Sequence, residues 1–359
     1  MNSPAFCTVI TRDHLARARV LADRLRLFHG EPLYVLCVDD IAGRIDTADL
    51  PFHLVTLEDV LPADRADMKF FYTAFELCNA LKPWLHRWIL THTAHDRWIY
   101  LDADILPFAS FAEAFELLDF ANILLTPQAL TPPAPALAAT IETGTLVYGV
   151  YNAGFLGIRR SAETARFLDW HAERLAMLCF RRWRDVFVDQ LWLNLVPVYF
   201  GGVRDWRHPG ANVGPWNFYE RTLARIGDGF TVNGKPLLFA HLSNWRFDAP
   251  QEWARGWALA SGSDATILAE IGGLYRDALA AAGHEEFRAW PYEFGSFPNR
   301  RTITLPMRRH WYERLLAGKA PAGSPFDHPE WFRGPQYVEW KKFMPLSIKR
   351  YLRRATASN

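Results

Sequence analysis

Two carboxylates one residue apart, Asp102 and Asp104, close the apolar run Trp98-Ile99-Tyr100-Leu101. In extended backbone, side chains at i and i+2 point the same way, so the pair faces one point in space. Carboxylates held that close at the end of a buried strand repel, and one stays protonated unless a cation lies between them. Hard oxygen ligands suit Mg2+ or Mn2+. A cation held so in a cleft serves to grip a phosphorylated substrate. The plainer account, a capped loop ahead of Pro107, sits less well with so apolar a lead-in. A second run, Pro236 to Ala240, ends on His241, followed by Ser243-Asn244-Trp245. A neutral imidazole at a strand end can complete a metal site begun by carboxylates. For any one of the 12 histidines a hydrogen-bonded structural role is the simpler account. Only its context singles out His241.

These residues need elements to position them. Phe6 to Ile10 has no alternation and reads as a strand buried on both faces. Thr11 to His14 follows as a loop, with Asp13 as cap for a helix from Leu15 to Phe28. Leu33 to Val38 is a second strand, ending in Asp39-Asp40, and Phe52 to Leu57 a third. Phe70 to Leu90 reads as helix with a break or restart at Pro83. Arg97 to Leu101 is the strand carrying the Asp pair. Strands alternating with helices imply a mostly parallel sheet with helices on both faces. Beyond it come a helix over Phe111 to Leu118, a strand over Asn122 to Thr126 and a Pro-rich loop from Pro127 to Pro135. A strand from Tyr151 to Ile158, a helix from Ala162 to Met177 and a short helix from Phe187 to Leu195 follow. Pro209 to Phe218 is a loop and Leu237 to Leu242 a strand. From Ala249 onward the pattern is helical. In open α/β sheets ligands bind beyond the carboxyl ends of strands. Thr8 to Thr11, Asp39-Asp40 and Asp102 to Asp104 all fall at such ends and converge on one crevice.

With 359 residues, 50% hydrophobic and 22% charged, the chain has the profile of a folded soluble protein of one large or two modest domains. A net charge of +1 gives no nucleic-acid signature. Cys7, Cys37, Cys78 and Cys179 each sit in an apolar run, as buried reduced thiols of a cytoplasmic protein do. The start reads as no signal peptide, and no stretch approaches a membrane span.

Five motifs in order carry a resemblance. Cys7-Thr8-Val9-Ile10-Thr11, Tyr100 to Leu106 with its Asp-x-Asp, Tyr151-Asn152-Ala153-Gly154-Phe155, Val188-Asp189-Gln190-Leu191-Trp192-Leu193-Asn194, and Phe239-Ala240-His241-Leu242-Ser243 together resemble the GT-A fold glycosyltransferases, closest to family eight. The match spans about residues 5 to 248. The resemblance implies a GT-A catalytic domain over 1–248 and a helical, Trp-rich, basic extension over 249–359. It implies transfer of a hexose from a nucleotide sugar, UDP-linked by expectation, to a glycan, lipid-linked or polysaccharide acceptor, with retention. It implies Mn2+ or Mg2+ on Asp102, Asp104 and His241. Thr8, Ile10, Thr11, Asp39 or Asp40, Asp102 and Ala103 would lie along the nucleotide. Asn152 and Asp189 would hydrogen-bond the donor sugar, with Gln190 below the anomeric carbon. Their plainer roles are a bulge at Asn152-Ala153-Gly154 and a helix cap at Asp189-Gln190.

Lys82, beside Pro83, is placed to reach a donor phosphate or sugar, or else is a solvated helix end. The family's Lys-Pro-Trp after the histidine is absent, and Arg246 or Lys235 is the candidate phosphate clamp in its stead. Asn212 to Asn217 is a candidate lid or acceptor loop. The basic aromatic tail, Trp340 to Arg354, is first a solvated helix packed on the main domain. Its second reading is a peripheral contact with an anionic inner membrane face. The competing functions are a nucleotide-sugar sensor without turnover and a nucleotidyltransferase or phosphatase. Nucleotidyltransferases of this architecture begin with a Gly-rich basic loop, which Thr11-Arg12-Asp13-His14 lacks.

Overall fold

The computed structural model describes residues 3–253, 265–334 and 337–339. The fold class is the expected one, a mixed, mostly parallel sheet flanked by helices with a mainly helical C-terminal part. The central sheet has seven strands: β1 (Ala5–Ile10), β2 (Leu33–Cys37), β3 (His53–Thr56), β4 (Arg97–Leu101), β6 (Ile123–Pro127), β7 (Tyr151–Arg159) and β8 (Val203–Asp205). Their order is β3-β2-β1-β4-β7-β6-β8. β7 runs antiparallel to both its neighbours, and every other pairing is parallel.

Period-two alternation divides each strand between two core layers. Ala5, Cys7, Val9, Trp98 and Tyr100 face one layer, and Phe6, Ile10, Ile99 and Leu101 the other. The helices Ala74–His92 and Ala162–Met177 contribute to the first, and Leu15–Arg26 and Ala112–Leu118 to the second. Both layers take in residues from beyond Ala249: Phe297, Met307 and Trp311 join the first, Leu268, Ile271 and Tyr275 the second.

A further antiparallel pair, β5 (Ile105–Pro107) with β12 (Phe239–His241), sets Ile105 opposite His241. This pairing lays the histidine beside the turn that follows β4. The four cysteines are free, three of them buried and Cys78 partly so.

The local structure corrects four expectations. Pro83 does not break its helix, which runs unbroken from Ala74 to His92. The cost of an interior proline is ~3 kcal/mol. Leu77, Ala80, Leu81, Trp84, Leu85 and Ile89, all buried along that helix, outweigh it. The helix also starts later than Phe70, at Thr73, where a capping box with Glu76 opens it. Asp13 caps nothing: it lies inside a single turn, Arg12–His14, and the next helix starts from His14 without a side-chain cap. Phe187–Leu195 is a tighter turn of helix confined to Gln190–Leu195.

Several elements had no counterpart in the pattern reading, among them one helix and a three-stranded sheet. The helix Pro135–Tyr148 has Pro at its start and Gly149, at φ 117°, just past its end. The antiparallel strands β9 (Leu223–Ile226), β10 (Gly229–Val232) and β11 (Lys235–Pro236) include a two-residue turn at Asn233-Gly234, both with positive φ.

Candidate functional site

β4 is buried on both faces and ends at Leu101. The chain then turns, with the Ile105 amide donating to the Asp102 carbonyl at 3.0 Å. Asp102 and Asp104 therefore converge through a turn rather than a strand pleat. The turn is tied on both sides: the Asp102 amide donates to Gly154 of β7, and the Leu242 amide to the Asp104 carbonyl. Ligand atoms of Asp102, Asp104 and His241 lie within 4.8 Å of one another. His241 Nε2 is 3.2 Å from Asp104 Oδ1 and 3.8 Å from Asp102 Oδ2.

Each member of this triad is oriented by a neighbour. Tyr100, two residues before Asp102 on the same face, donates its hydroxyl to Asp102 Oδ1 at 2.7 Å. Lys82 Nζ is 3.0 Å from the same oxygen, which leaves Oδ2 turned to the histidine. Arg17, from the helix Leu15–Arg26, reaches Asp104 Oδ2 at 3.7 Å. His241 Nδ1 lies 3.3 Å from the Asn212 side-chain oxygen. If Nδ1 carries the proton and donates there, Nε2 is left to face a cation between the carboxylates. Trp216 closes edge-on against the imidazole at 5.0 Å. Two carboxylates and an imidazole so held form a donor set that fits a divalent cation.

Gly154 makes room for this. A Cβ there would lie 2.3 Å from His241 Cε1 and 2.8 Å from the Asn152 side-chain oxygen. Real Cβ atoms do not approach that closely, so glycine is required here for space.

Lys82 is the second centre. It is buried, and it joins Asp102 to Asp189 Oδ2 at 2.9 Å while donating to the Ala153 carbonyl at 3.1 Å. Burial works against its charge, but the two carboxylates outweigh it and hold its pKa above the ordinary lysine value. For Asp189 burial wins, pushing the carboxyl up to about 6 against the pull of Lys82. Behind Lys82 lies His86, buried and accepting the Trp98 indole N–H at Nδ1, 2.8 Å away.

Asn152 and Gln190 are committed to holding the cavity wall. Asn152 accepts the Gly154 amide and faces Gln128. Gln190 accepts the Ala153 amide and donates to the Tyr148 carbonyl. Val188, immediately before Asp189, has φ 38°, an outlying conformation for a β-branched residue.

Lys82, Asp102, Asp104, Asn152, Asp189, Gln190 and His241 all line one cavity of about 540 Å3. Several expected residues do not. Thr8, Ile10 and Thr11 are buried at the end of β1, and Thr8 Oγ1 has no hydrogen-bond partner among the described residues. Ala103 lies in the turn, its carbonyl 3.5 Å from the Tyr275 hydroxyl. Asp39 accepts the Arg12 and Glu293 amides at 2.9 and 2.7 Å, and the Asp40 amide donates to Glu293. Arg246 is exposed and faces Glu252 at 3.4 Å, and Lys235 lies exposed in β11. The tail Trp340 to Arg354 lies outside the described residues. Sequence reasoning missed Arg17, Gln128, Arg181 and Arg182. Arg17 alone carried a signal, one helical turn beyond a strand-end loop.

No family model matches the chain. It is 26% identical over 249 residues to the uncharacterized protein YfnF of Bacillus subtilis (strain 168), covering 67% of this chain and 82% of that protein. Among solved structures it is similar to the galactosyltransferase LgtC in complex with donor and acceptor sugar analogues, with TM-score 0.46 and 17% identity over 76% of this chain and 96% of that one. It is also similar to the glycosyltransferase GlyE of Streptococcus pneumoniae TIGR4, with TM-score 0.43 and 14% identity over 83% of this chain and 67% of that one. Among the described residues no helix is long and apolar enough to cross a membrane.

Proposed function

We propose that this protein is a GT-A type glycosyltransferase that uses a divalent cation, Mn2+ or Mg2+, and a UDP-linked hexose. The observation that carries the reading is the convergence of Asp102, Asp104 and His241 in one cavity with the buried Asp102–Lys82–Asp189 chain. A capped turn does not account for an imidazole nitrogen placed 3.2 Å and 3.8 Å from two carboxylates. A bound cation would supply charge neutralisation for the departing nucleoside diphosphate.

The chain's own residues do the rest. Asp102, Asp104 and His241 would hold the cation, their geometry set by Tyr100, Lys82, Arg17 and Asn212. Lys82 keeps a positive charge beneath the donor, and Asp189 offers a buried carboxylate to sugar hydroxyls. Asn152 and Gln190 fix the wall against which the sugar lies. Gln190 is an amide with both ends engaged, hence no nucleophile. We therefore favour attack from the leaving-group side. The acceptor hydroxyl oxygen bonds to the anomeric carbon as the bond from that carbon to the diphosphate oxygen breaks. The electron pair leaves with the diphosphate, which takes the hydroxyl proton, and the configuration is retained. Asp189 as nucleophile is disfavoured by its ion pair with Lys82.

The test is a panel of nucleotide sugars with and without Mn2+ or Mg2+, read as thermal shift and as donor hydrolysis. A UDP-sugar is expected to stabilise the protein only with metal, and Asp104→Ala to abolish that shift. Binding without turnover toward any acceptor would favour a nucleotide-sugar sensor. If no nucleotide binds under any metal, the reading is wrong.

A further inference from the structure

The cavity contains two cations that the reaction above leaves unused. Arg181 and Arg182 both line it and are exposed, whereas Lys82 and Asp189, which line it too, are buried. Lys82 and Arg17 already answer the three carboxylates. Among the described residues neither Arg181 nor Arg182 forms an ion pair or a side-chain hydrogen bond. Each lies instead over an aromatic face, Arg181 over Phe75 at 5.5 Å and Arg182 over Tyr148 at 4.7 Å. Stacking of this kind orients a guanidinium and leaves its N–H fork free.

The loop that carries them is held in costly backbone. Arg182, Arg184 and Asp185 have φ of 62°, 58° and 57°, in the left-handed region that favours glycine. The Arg182 amide donates to Val186, and the Val188 amide to Phe180. The Arg181 amide donates to Glu76, a fully buried carboxylate paired with Arg309. Strain persists where the surroundings over-determine it, and it gathers at ligand clamps. The same loop runs directly into Asp189, so a group gripped by the arginines would lie beside the donor sugar. A second cavity of about 590 Å3 adjoins the first and shares Gln128, Tyr148, Trp216 and Asn244 with it. It gives an acceptor room to extend.

We propose that the acceptor is a saccharide bearing an oxyanion, a phosphate or a carboxylate, held by Arg181 and Arg182. This rests on the glycosyltransferase reading and names the acceptor class of that same site. Two free guanidinium forks lining one cavity match the planar or tetrahedral oxygens of such a group.

The experiment measures binding to the full chain, loaded with Mn2+ and UDP, of three probes: methyl glucoside, methyl glucuronide and glucose phosphate. Both anionic probes are expected to bind at least about tenfold more tightly than the neutral one, as charge-assisted hydrogen bonds imply. Arg181→Gln and Arg182→Gln should each remove most of that preference and leave UDP binding unchanged. Which anion binds more tightly identifies the group as phosphate or carboxylate. Equal binding of all three probes, no binding of either anion, or a preference that survives in both variants overturns the proposal. Loss of UDP binding in the variants assigns the arginines to the donor and overturns it as well. Failure of UDP to bind wild type counts against the glycosyltransferase reading instead. The clamp is then decided by the same probes without nucleotide.

Discussion

Asp39 and Asp102 follow parallel strands with only β1 between them, yet their carboxylates are held in opposite ways. Asp39 is satisfied by backbone: the Arg12 and Glu293 amides donate to its two oxygens. Arg12 in turn donates to the Pro291 and Asp40 carbonyls, so the segment around Pro291 to Glu293 is strapped across the strand ends. Asp102 is held by side chains, Tyr100 and Lys82 on one oxygen, with the other turned into the cavity. Backbone donors that belong to the fold exhaust a carboxylate. Side-chain donors on one edge orient it and leave a face for something else. The same residue type at a strand end is thus used up by the fold in one place and left with an open face in the other, and what packs above decides which.

The sharpest way to break this contrast is at the floor of the cavity. Lys82→Met leaves Asp189 buried without its cation, and a buried pair broken on one side costs ~3–5 kcal/mol. Denaturant unfolding should show that loss. An unchanged midpoint would mean Asp189 takes up a proton at no cost, and the floor would be no ion-pair site. Gly154→Ala tests the triad. Its Cβ must displace the His241 imidazole or shift β7, an overpacking cost of ~1–3 kcal/mol. Metal-dependent nucleotide binding should fall steeply, and retention of that dependence would show that His241 is no ligand.

Acid should weaken the floor specifically. His86 sits behind Lys82 with its pKa held down to about 3, chiefly by burial, and its Nδ1 already accepts from Trp98. The unfolded chain binds a proton at His86 below its ordinary pKa of about 6.5, and the folded chain resists. Stability from this group is therefore complete above that value and falls progressively as the pH drops toward 3. At pH 5 the loss is on the order of 2 kcal/mol. Comparing urea midpoints at pH 7 and pH 5 in wild type and His86→Gln checks it. Equal pH slopes in both proteins would remove His86 from the account.

The contrast also marks what the sequence could say. β1, β2, β4 and β7 were legible because both their faces are buried and their runs are uninterrupted. Asp102, Asp104, Asp189 and His241 were legible as motifs, and they meet in one cavity. What the pattern hid was long-range. Lys82 joins two carboxylates from elements 20 and 107 positions further along, and no local rule connects them. Pro83 misled because a local helix-breaking rule lost to the packing of a whole helix. Arg181 and Arg182 sit in a loop without a motif, and only folding reveals what they face. Asp39 looked like Asp102 in its local setting because its partner, Glu293, lies 254 positions away.

Asp39→Asn is the mildest probe, and it bears on the contrast directly. An amide keeps one acceptor oxygen but turns an NH2 toward one of the two backbone N–H donors. One charge-assisted hydrogen bond is lost, and the structural loss is ~1–2 kcal/mol. If Asp39 serves only to strap the C-terminal segment to the strand ends, the unfolding midpoint falls by that amount while the affinity for a nucleoside diphosphate with Mn2+ stays within about twofold. Native-state hydrogen exchange should then quicken at the Glu293 amide and not at Gly154. The reverse pattern, an unchanged midpoint with a tenfold loss of nucleotide affinity, would make the strap secondary. Both carboxylates would then belong to one ligand site.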